Sequence, residues 1–87
     1  MTGECFLCGQ WAQLEKHHLW GGALRKKSEK YGLTVYLCHS CHNEPPYGVH
    51  FNAKVMQSLH EYGERKWIAE HNATIEDFRR EFYKNYI

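Results

Sequence analysis

Four cysteines in two closely spaced pairs are the first residues whose spacing in this sequence can support chemistry. The pairs are Cys5-x-x-Cys8 and Cys38-x-x-Cys41. Two thiolates that lie two residues apart can converge on one ion, and two such pairs complete the tetrahedral coordination of Zn²⁺. Because four cysteines leave no position for substrate, we expect this zinc to be structural. The alternative is a set of disulfides or idle buried thiols.

Histidines are the second chemical feature, with seven in 87 residues. His17 and His18 lie just before Gly21-Gly22, and His42 directly follows the second cysteine pair. Because the zinc ties that pair to the preceding strand, we expect His42 to lie near His17 and His18. Neutral imidazoles gathered there can hold a second metal ion that keeps a position for water. His50 either joins this site or begins a helix, and the other histidines are expected at the surface or in hydrogen bonds: His39, His60 and His71.

Adjacent strand residues point to opposite faces, so His17 and His18 serve one site only if the strand end is bent or meets different partners on its two faces. The apolar pattern predicts strands over residues 14–19 and 33–37, and a loop or short helix over 25–30. Helical spacing runs from about 51 to 68. A capping box at Thr74-Ile75-Glu76-Asp77 predicts a final helix. That helix is expected to bury Ile75, Phe78 and Phe82.

These elements predict one α+β domain over residues 1–87. Residues 1–52 would form the metal-stapled core and residues 53–87 a helical extension. A chain of this size sits near the lower limit for a stable apolar core, which makes a metal staple useful. The aromatic residues of the extension are expected to be core, with a dimer or partner surface as the alternative: Trp67, Phe78, Phe82, Tyr83 and Tyr86.

Charge and apolar runs restrict the partners and the compartment. Eleven Lys and Arg residues against ten Asp and Glu give a net charge of +1, which disfavours a protein that coats nucleic acid. A local basic patch can still engage a few phosphates, although a solvated charged loop is an equally good interpretation of each residue taken alone. The patch comprises Arg25, Lys26, Lys27 and Lys30. The first residues lack the apolar segment of a signal peptide, and no apolar run is long enough for a membrane span, so we expect a cytoplasmic protein with no membrane partner.

The motifs in combination resemble the HNH branch of the ββα-metal nucleases, which are built on a treble-clef zinc finger. The resemblance runs from residue 5 to about residue 52. It is carried by the sequence Cys5-x-x-Cys8, by Leu14-Glu15-Lys16-His17-His18-Leu19 before Gly21-Gly22, and by Leu37-Cys38-x-x-Cys41-His42. The segments at 25–32, 48–52 and 83–87 also resemble small HNH proteins of bacteriophages and prophages.

The resemblance implies a DNA endonuclease that hydrolyses phosphodiester bonds in a bacterial host cell. His18 matches the general base. His17, His42 and His50 match ligands of one catalytic divalent metal, which would be Mg²⁺, Mn²⁺, Ni²⁺ or Zn²⁺. The four cysteines match structural zinc ligands. Arg25, Lys26, Lys27 and Lys30 would contact backbone phosphates.

One position departs from the family pattern, and other classes of function stay open. The central Asn of the family should fall near Gly32 or Leu33 and has no counterpart, so we expect a backbone carbonyl to hold the second ring nitrogen of His18.

A non-catalytic zinc-finger adaptor for DNA or for a phage packaging protein is the main alternative. A thiol redox protein would use the cysteine pairs as reactive dithiols, which leaves the histidines without a role.

Overall fold

A three-stranded antiparallel sheet lies in the cysteine-rich half of the chain. The structure is a computed structural model that describes residues 1–87. The strands are β1 (Thr2–Glu4), β2 (Trp11–His18) and β3 (Thr34–Cys38), in that order across the sheet. The β2–β3 hairpin pairs Leu14 with Cys38 at one end and His18 with Thr34 at the other. Both predicted strands are therefore confirmed, with β2 extended at its start because β1, which the sequence did not predict, pairs with its first residues.

Short helices follow each strand of the hairpin and bring polar side chains to its ends. A 3₁₀ turn (Gly22–Leu24) leads from β2 into α1 (Arg25–Lys30), and α2 (His39–Asn43) begins directly after β3. A second 3₁₀ turn, Val49–Phe51, precedes the long helix. The basic segment is thus a short helix, one of the two forms expected for it.

The extension consists of α3 (Ala53–Glu70) and α4 (Ile75–Phe82). Helix α3 begins later than expected because the Asn52 side chain caps it, accepting hydrogen bonds from the backbone N–H groups of Lys54 and Val55. The predicted capping box is confirmed: Thr74 Oγ1 accepts from the Asp77 N–H at 3.1 Å, and an Asp77 carboxylate oxygen accepts from the Thr74 N–H at 2.9 Å.

Phe78 and Phe82 are buried as predicted and stack on each other with ring centroids 4.5 Å apart. The expectation for Ile75 is wrong: it lies in the first turn, outside this stack, and is 48% exposed. Tyr83 is also exposed rather than core, because its left-handed backbone (φ +70°) ends the helix and turns the side chain away.

The two halves share one hydrophobic core. Trp20, which follows β2, packs against α3 at Gly63, where an added Cβ would lie 2.7 Å from the indole ring. Trp20 also contacts Phe82 and Phe78, with ring centroids 5.0 Å and 5.6 Å away. The sheet is therefore held against the helical extension as one small α+β unit. None of its helices has the length and apolar character needed to cross a lipid bilayer.

Candidate metal centres

The four cysteines meet at one point beside the sheet. Cys5 and Cys8 lie in a tight turn in which the Gly9 N–H donates to the Cys5 carbonyl at 2.9 Å, with Gly9 in the left-handed region (φ +77°) that favours glycine. A hydrogen bond of 3.0 Å from the Phe6 N–H to the Tyr36 carbonyl ties this turn to β3. All four Sγ atoms lie within 4.8 Å of one another.

Sulfur spacing at this point suits a tetrahedral metal site. Four Zn–S bonds of about 2.3 Å in a tetrahedron place neighbouring sulfurs about 3.8 Å apart. The Sγ atoms of Cys8 and Cys38 are 3.8 Å apart. All four cysteines are free thiols rather than disulfides. The cluster is consistent with a structural metal ion such as zinc.

The thiols of Cys5 and Cys41 differ in pKa. Burial disfavours the thiolate of Cys5, but backbone hydrogen bonds from Cys8, Cys38 and Leu7 outweigh it and lower the pKa of Cys5 to about 6. Burial and hydrogen bonds with the neighbouring thiols raise the pKa of Cys41 far above its usual range. A bound cation would stabilise all four thiolates together, which is the expected behaviour of metal-ligating cysteines.

Three imidazoles form a second cluster at the other end of the hairpin. His17 comes from the end of β2, His42 from α2 and His50 from the 3₁₀ turn before α3. The ring centroid of His17 is 5.1 Å from that of His42 and 5.1 Å from that of His50, while His42 and His50 are 4.8 Å apart. The structure therefore brings the three histidines together, including His50, for which the sequence left two roles open.

His17 is the buried member of this cluster. It is only 3% exposed, and its Nε2 atom has no hydrogen-bond partner. Burial, followed by repulsion from the neighbouring histidines, lowers the pKa of His17 to about 4. The imidazole is consequently neutral at physiological pH, which is the form that binds metals.

The donor set fits a divalent metal ion. Two imidazole nitrogens bound to one tetrahedral ion at about 2.1 Å lie about 3.4 Å apart. The Nε2 atoms of His42 and His50 are 3.0 Å apart, and a nitrogen of His17 lies within 4.8 Å of both. A metal would also give the unpartnered Nε2 of His17 a bonding role. Beside the cluster is a surface cavity of about 300 Å³ that is open to solvent.

Glu15 orients one of these imidazoles, a role that sequence reasoning missed. Its carboxylate accepts hydrogen bonds from Nδ1 of His42 at 2.8 Å, Nδ1 of His39 at 2.9 Å and Nδ2 of Asn43 at 3.1 Å. The hydrogen bonds from His39 and His42 lower the pKa of Glu15 to about 2. With Nδ1 of His42 donating to a carboxylate, its Nε2 carries the lone pair that a metal ligand needs. Glu15 could have been recognised because it precedes His17 by two strand positions and so shares its face.

His18 points to the opposite side of β2 from His17, as alternation requires, yet it also borders the 300 Å³ cavity because the strand ends there. Nε2 of His18 lies 2.6 Å from Oε2 of Glu29. Lys16 Nζ donates to the other oxygen of Glu29 at 2.7 Å. The partner of His18 is thus a side-chain carboxylate and not the backbone carbonyl that we expected.

Helix α1 delivers Glu29 to this position. Its fully buried Ser28 donates a hydrogen bond to the Leu33 carbonyl and accepts one from the Trp20 N–H at 3.3 Å. These bonds fix α1 against the end of the hairpin. Hydrogen bonds from Lys16 and His18 lower the pKa of Glu29, so the group is a carboxylate that can only accept. The sequence carried no signal for this contact.

The structure separates the four basic residues of α1. Arg25 and Lys26 line a second surface cavity of about 510 Å³ together with Lys16, His18 and Glu29. Lys27 and Lys30 lie three positions apart on another helix face. Lys27 donates to the backbone of Glu81 and lies over the Tyr83 ring, and Lys30 lies over the Tyr31 ring. Only Arg25 and Lys26 therefore share a groove with His18.

Comparison with known proteins adds no assignment, because no protein-family model, no characterised protein and no solved structure matches this chain.

Proposed function

We propose that this chain is a metal-dependent DNA endonuclease of the HNH type, which hydrolyses phosphodiester bonds. The observation that carries the proposal is the meeting of His17, His42 and His50 beside a cavity that His18 also borders. A metal site with three imidazole donors and an open side is of the catalytic kind. An adjacent imidazole that ligates nothing is suited to proton transfer.

The fold around the cysteines supports the same proposal. Cys5 and Cys8 lie in a turn, Cys38 ends β3 and Cys41 lies in α2, so a hairpin and a helix converge on one metal site. A treble-clef finger would place its metal between the same kinds of element, which supports the proposal. The sequence resemblance to the HNH branch and this topology both support the assignment.

His17, His42 and His50 would hold the catalytic ion. Held there, a divalent ion supplies Lewis-acid stabilisation of the charge that develops on the phosphate and on the leaving 3′-oxygen. Three imidazole donors favour Zn²⁺ or Ni²⁺ over Mg²⁺, which prefers oxygen ligands. Among the four ions that the resemblance allows, we therefore place these two first.

His18 acts as the general base in this mechanism. Because the Glu29 carboxylate accepts from Nε2–H of His18, the lone pair resides on Nδ1, which takes a proton from the attacking water. Glu29 fixes the ring and its tautomer, as the central Asn of the family would help to do, and Lys16 fixes Glu29. Arg25 and Lys26 line the same groove and bind backbone phosphates, which positions the substrate without reading its sequence.

A nicking assay on supercoiled plasmid tests the proposal. The wild-type protein is expected to nick plasmid when Ni²⁺, Zn²⁺ or Mn²⁺ is added and to stop when the ion is chelated. His18→Ala should lower the rate by a factor of about 10² to 10⁴ while the melting curve stays unchanged. His42→Ala should abolish metal-dependent nicking.

His71→Ala is the control for both variants, since it removes an exposed imidazole at the end of α3 that lies outside the histidine cluster. It should nick at nearly the wild-type rate. Plasmid binding without nicking under every ion tested would reject the nuclease and favour a non-catalytic zinc-finger adaptor. Full activity of His18→Ala would reject the assigned base.

A further inference from the structure

A second cleft opens from the histidine cluster toward the helical extension. It measures about 330 Å³ and shares His17, His18, Gly21 and His50 with the surroundings of the histidine cavity. Its remaining lining is different in character and comprises Leu19, Trp20, Met56 and His60. The volume lies at the lower end of the range of about 300–1,000 Å³ typical of small-ligand sites.

Aromatic and thioether groups form the far wall of this cleft. The His60 ring stacks on Trp20 at a centroid distance of 5.1 Å and an interplanar angle of 8°, and Tyr86 packs against His60 at 4.6 Å. Met56 lies one helical turn before His60 and so presents its side chain on the same face of α3. Flat π-systems are well accommodated by such walls, through stacking and sulfur–aromatic contacts.

Trp20 lines this cleft from within the core. It is 3% exposed, and its indole Nε1, which has no hydrogen-bond partner, is shielded from solvent. The cleft therefore selects an occupant by shape and by apolar contact with its aromatic and thioether groups. Such contacts suit the flat faces of a nucleobase better than a flexible aliphatic chain.

We infer that this cleft binds the unpaired base of the nucleotide next to the phosphate held at the histidine cluster. The inference rests on the proposed nuclease function and names its substrate class as single-stranded or locally unpaired DNA. Because the two cavities share four lining residues, a base in the apolar cleft can belong to the nucleotide whose phosphate lies at the histidine cluster. In a duplex the faces of a base are covered by its stacked neighbours, so a base enters such a cleft only after leaving the stack.

A binding experiment tests this inference without relying on cleavage. The probes are a short fluorescein-labelled single strand, the same strand annealed to its complement, and a strand of abasic spacers that keeps the phosphates. Fluorescence anisotropy is read in buffer with no added divalent ion. The wild-type protein is expected to bind the single strand about tenfold more tightly than the duplex or the abasic strand, which is the scale of one base–aromatic contact.

Two substitutions on α3 separate the cleft from general electrostatics. Met56→Glu places a carboxylate in the cleft wall, whereas Ser58→Glu makes the same charge change on another, exposed face of the helix. Met56→Glu should remove the preference for the single strand, and Ser58→Glu should keep it. Met56→Leu, which retains an apolar wall, should also keep it and shows that the position tolerates replacement. Melting curves for all three variants identify any loss of fold.

Equal affinity for the single strand, the duplex and the abasic strand would overturn the inference, as would equal effects of the two glutamate substitutions. The nuclease proposal fails by a different result. A protein that prefers the single strand but never nicks DNA retains the base cleft and loses the catalytic assignment. A protein that nicks DNA but shows no such preference retains catalysis and loses the cleft.

Discussion

Oε1 of Glu15 accepts a hydrogen bond from Nδ1 of His42 at 2.8 Å, while Nε2 of the same ring lies 3.0 Å from Nε2 of His50. One edge of the imidazole is therefore held by a carboxylate, and the opposite edge is directed at the histidine cluster. Carboxylates in this position orient metal-binding histidines and increase their basicity as ligands. The Glu15–His42 hydrogen bond links the sheet to α2 beside the histidine cluster, to which β2 contributes His17 and α2 contributes His42.

Replacing Glu15 should weaken the histidine site without disturbing the cysteine site. For Glu15→Gln we expect the affinity of the histidine cluster for Zn²⁺ or Ni²⁺ to fall by about 10- to 100-fold, because His42 loses its charged partner. Metal titration followed by calorimetry measures this. The control is Glu44→Gln, which removes a nearby exposed carboxylate that does not contact His42. An unchanged affinity in Glu15→Gln would contradict the orienting role.

Replacing Glu29 should lower the rate of the chemical step. Glu29→Ala leaves Nε2 of His18 without the acceptor that fixes its tautomer, and we expect kcat for nicking to fall by up to about 100-fold with little change in KM. Glu29→Gln keeps an acceptor oxygen and should recover much of the loss. If the alanine variant instead altered KM and left kcat unchanged, Glu29 would act on substrate binding and not on the base.

Removing one cysteine should remove the fold along with the zinc. Cys8→Ser is expected to lose the structural metal and to lose cooperative thermal unfolding, since metal-binding free energy is folding free energy in a domain of this size. Zinc content by mass spectrometry and a melting curve by circular dichroism provide the two readouts. Ser40→Ala, between Cys38 and Cys41, should change neither, because its hydroxyl contacts only exposed Glu44. An unaltered melting curve for Cys8→Ser is the opposing result.

The capping box of α4 should contribute measurably to stability. Thr74→Ala is expected to cost about 1 kcal/mol, or about 4–8 °C in Tm, through loss of the N-cap hydrogen bond. Ser58→Ala, at an exposed position within α3, should cost much less. A Thr74→Ala variant with the wild-type Tm would show that the capping hydrogen bond makes no measurable contribution to stability.

The same box predicts the sign of a pH effect. Hydrogen bonds from the Thr74 N–H and from Arg80 lower the pKa of Asp77. A group whose pKa is lowered on folding stabilises the protein above its unfolded-state pKa, and this stabilisation is lost as the pH falls through the folded-state value. Asp77→Ala should therefore lower Tm at neutral pH, and its difference from the wild type should shrink on acidification. A difference that grows with acid would contradict this assignment.

Sequence spacing was sufficient to identify the candidate metal ligands, because the residues that mark them lie close together in the chain. Two Cys-x-x-Cys pairs predict a tetrahedral site whatever sequence lies between them. His42 was predicted to lie near the hairpin because it directly follows the second pair. The meeting of these imidazoles in space is observed, whereas their roles in catalysis stay predictions. The strands and the capping box were predictable for a similar reason, since each depends on residues close together in the chain.

Contacts that depend on docking between elements were not predictable. Glu29 reaches His18 only because Ser28 fixes α1 against the hairpin. In the sequence, Glu29 is one carboxylate on a charged helix, and nothing in its neighbours predicts that contact. The same docking turns Lys27 toward α4 and leaves Arg25 in the groove. Sequence identified a basic segment, but the rotation of a six-residue helix decides which of its charges face the site.

The register of the β2–β3 hairpin couples the position of the cysteine cluster to that of the histidine cluster. Cys38 lies opposite Leu14, and four positions along the same ladder His18 lies opposite Thr34. A slip of one residue would exchange the faces of every side chain on β2, placing His18 inside and His17 in the groove. An ion bound at Cys38 would therefore fix the alignment on which the proposed reaction at the far end of the hairpin depends. In the proposed mechanism, the cysteine cluster thus determines which of the two adjacent imidazoles is placed as the ligand and which as the base.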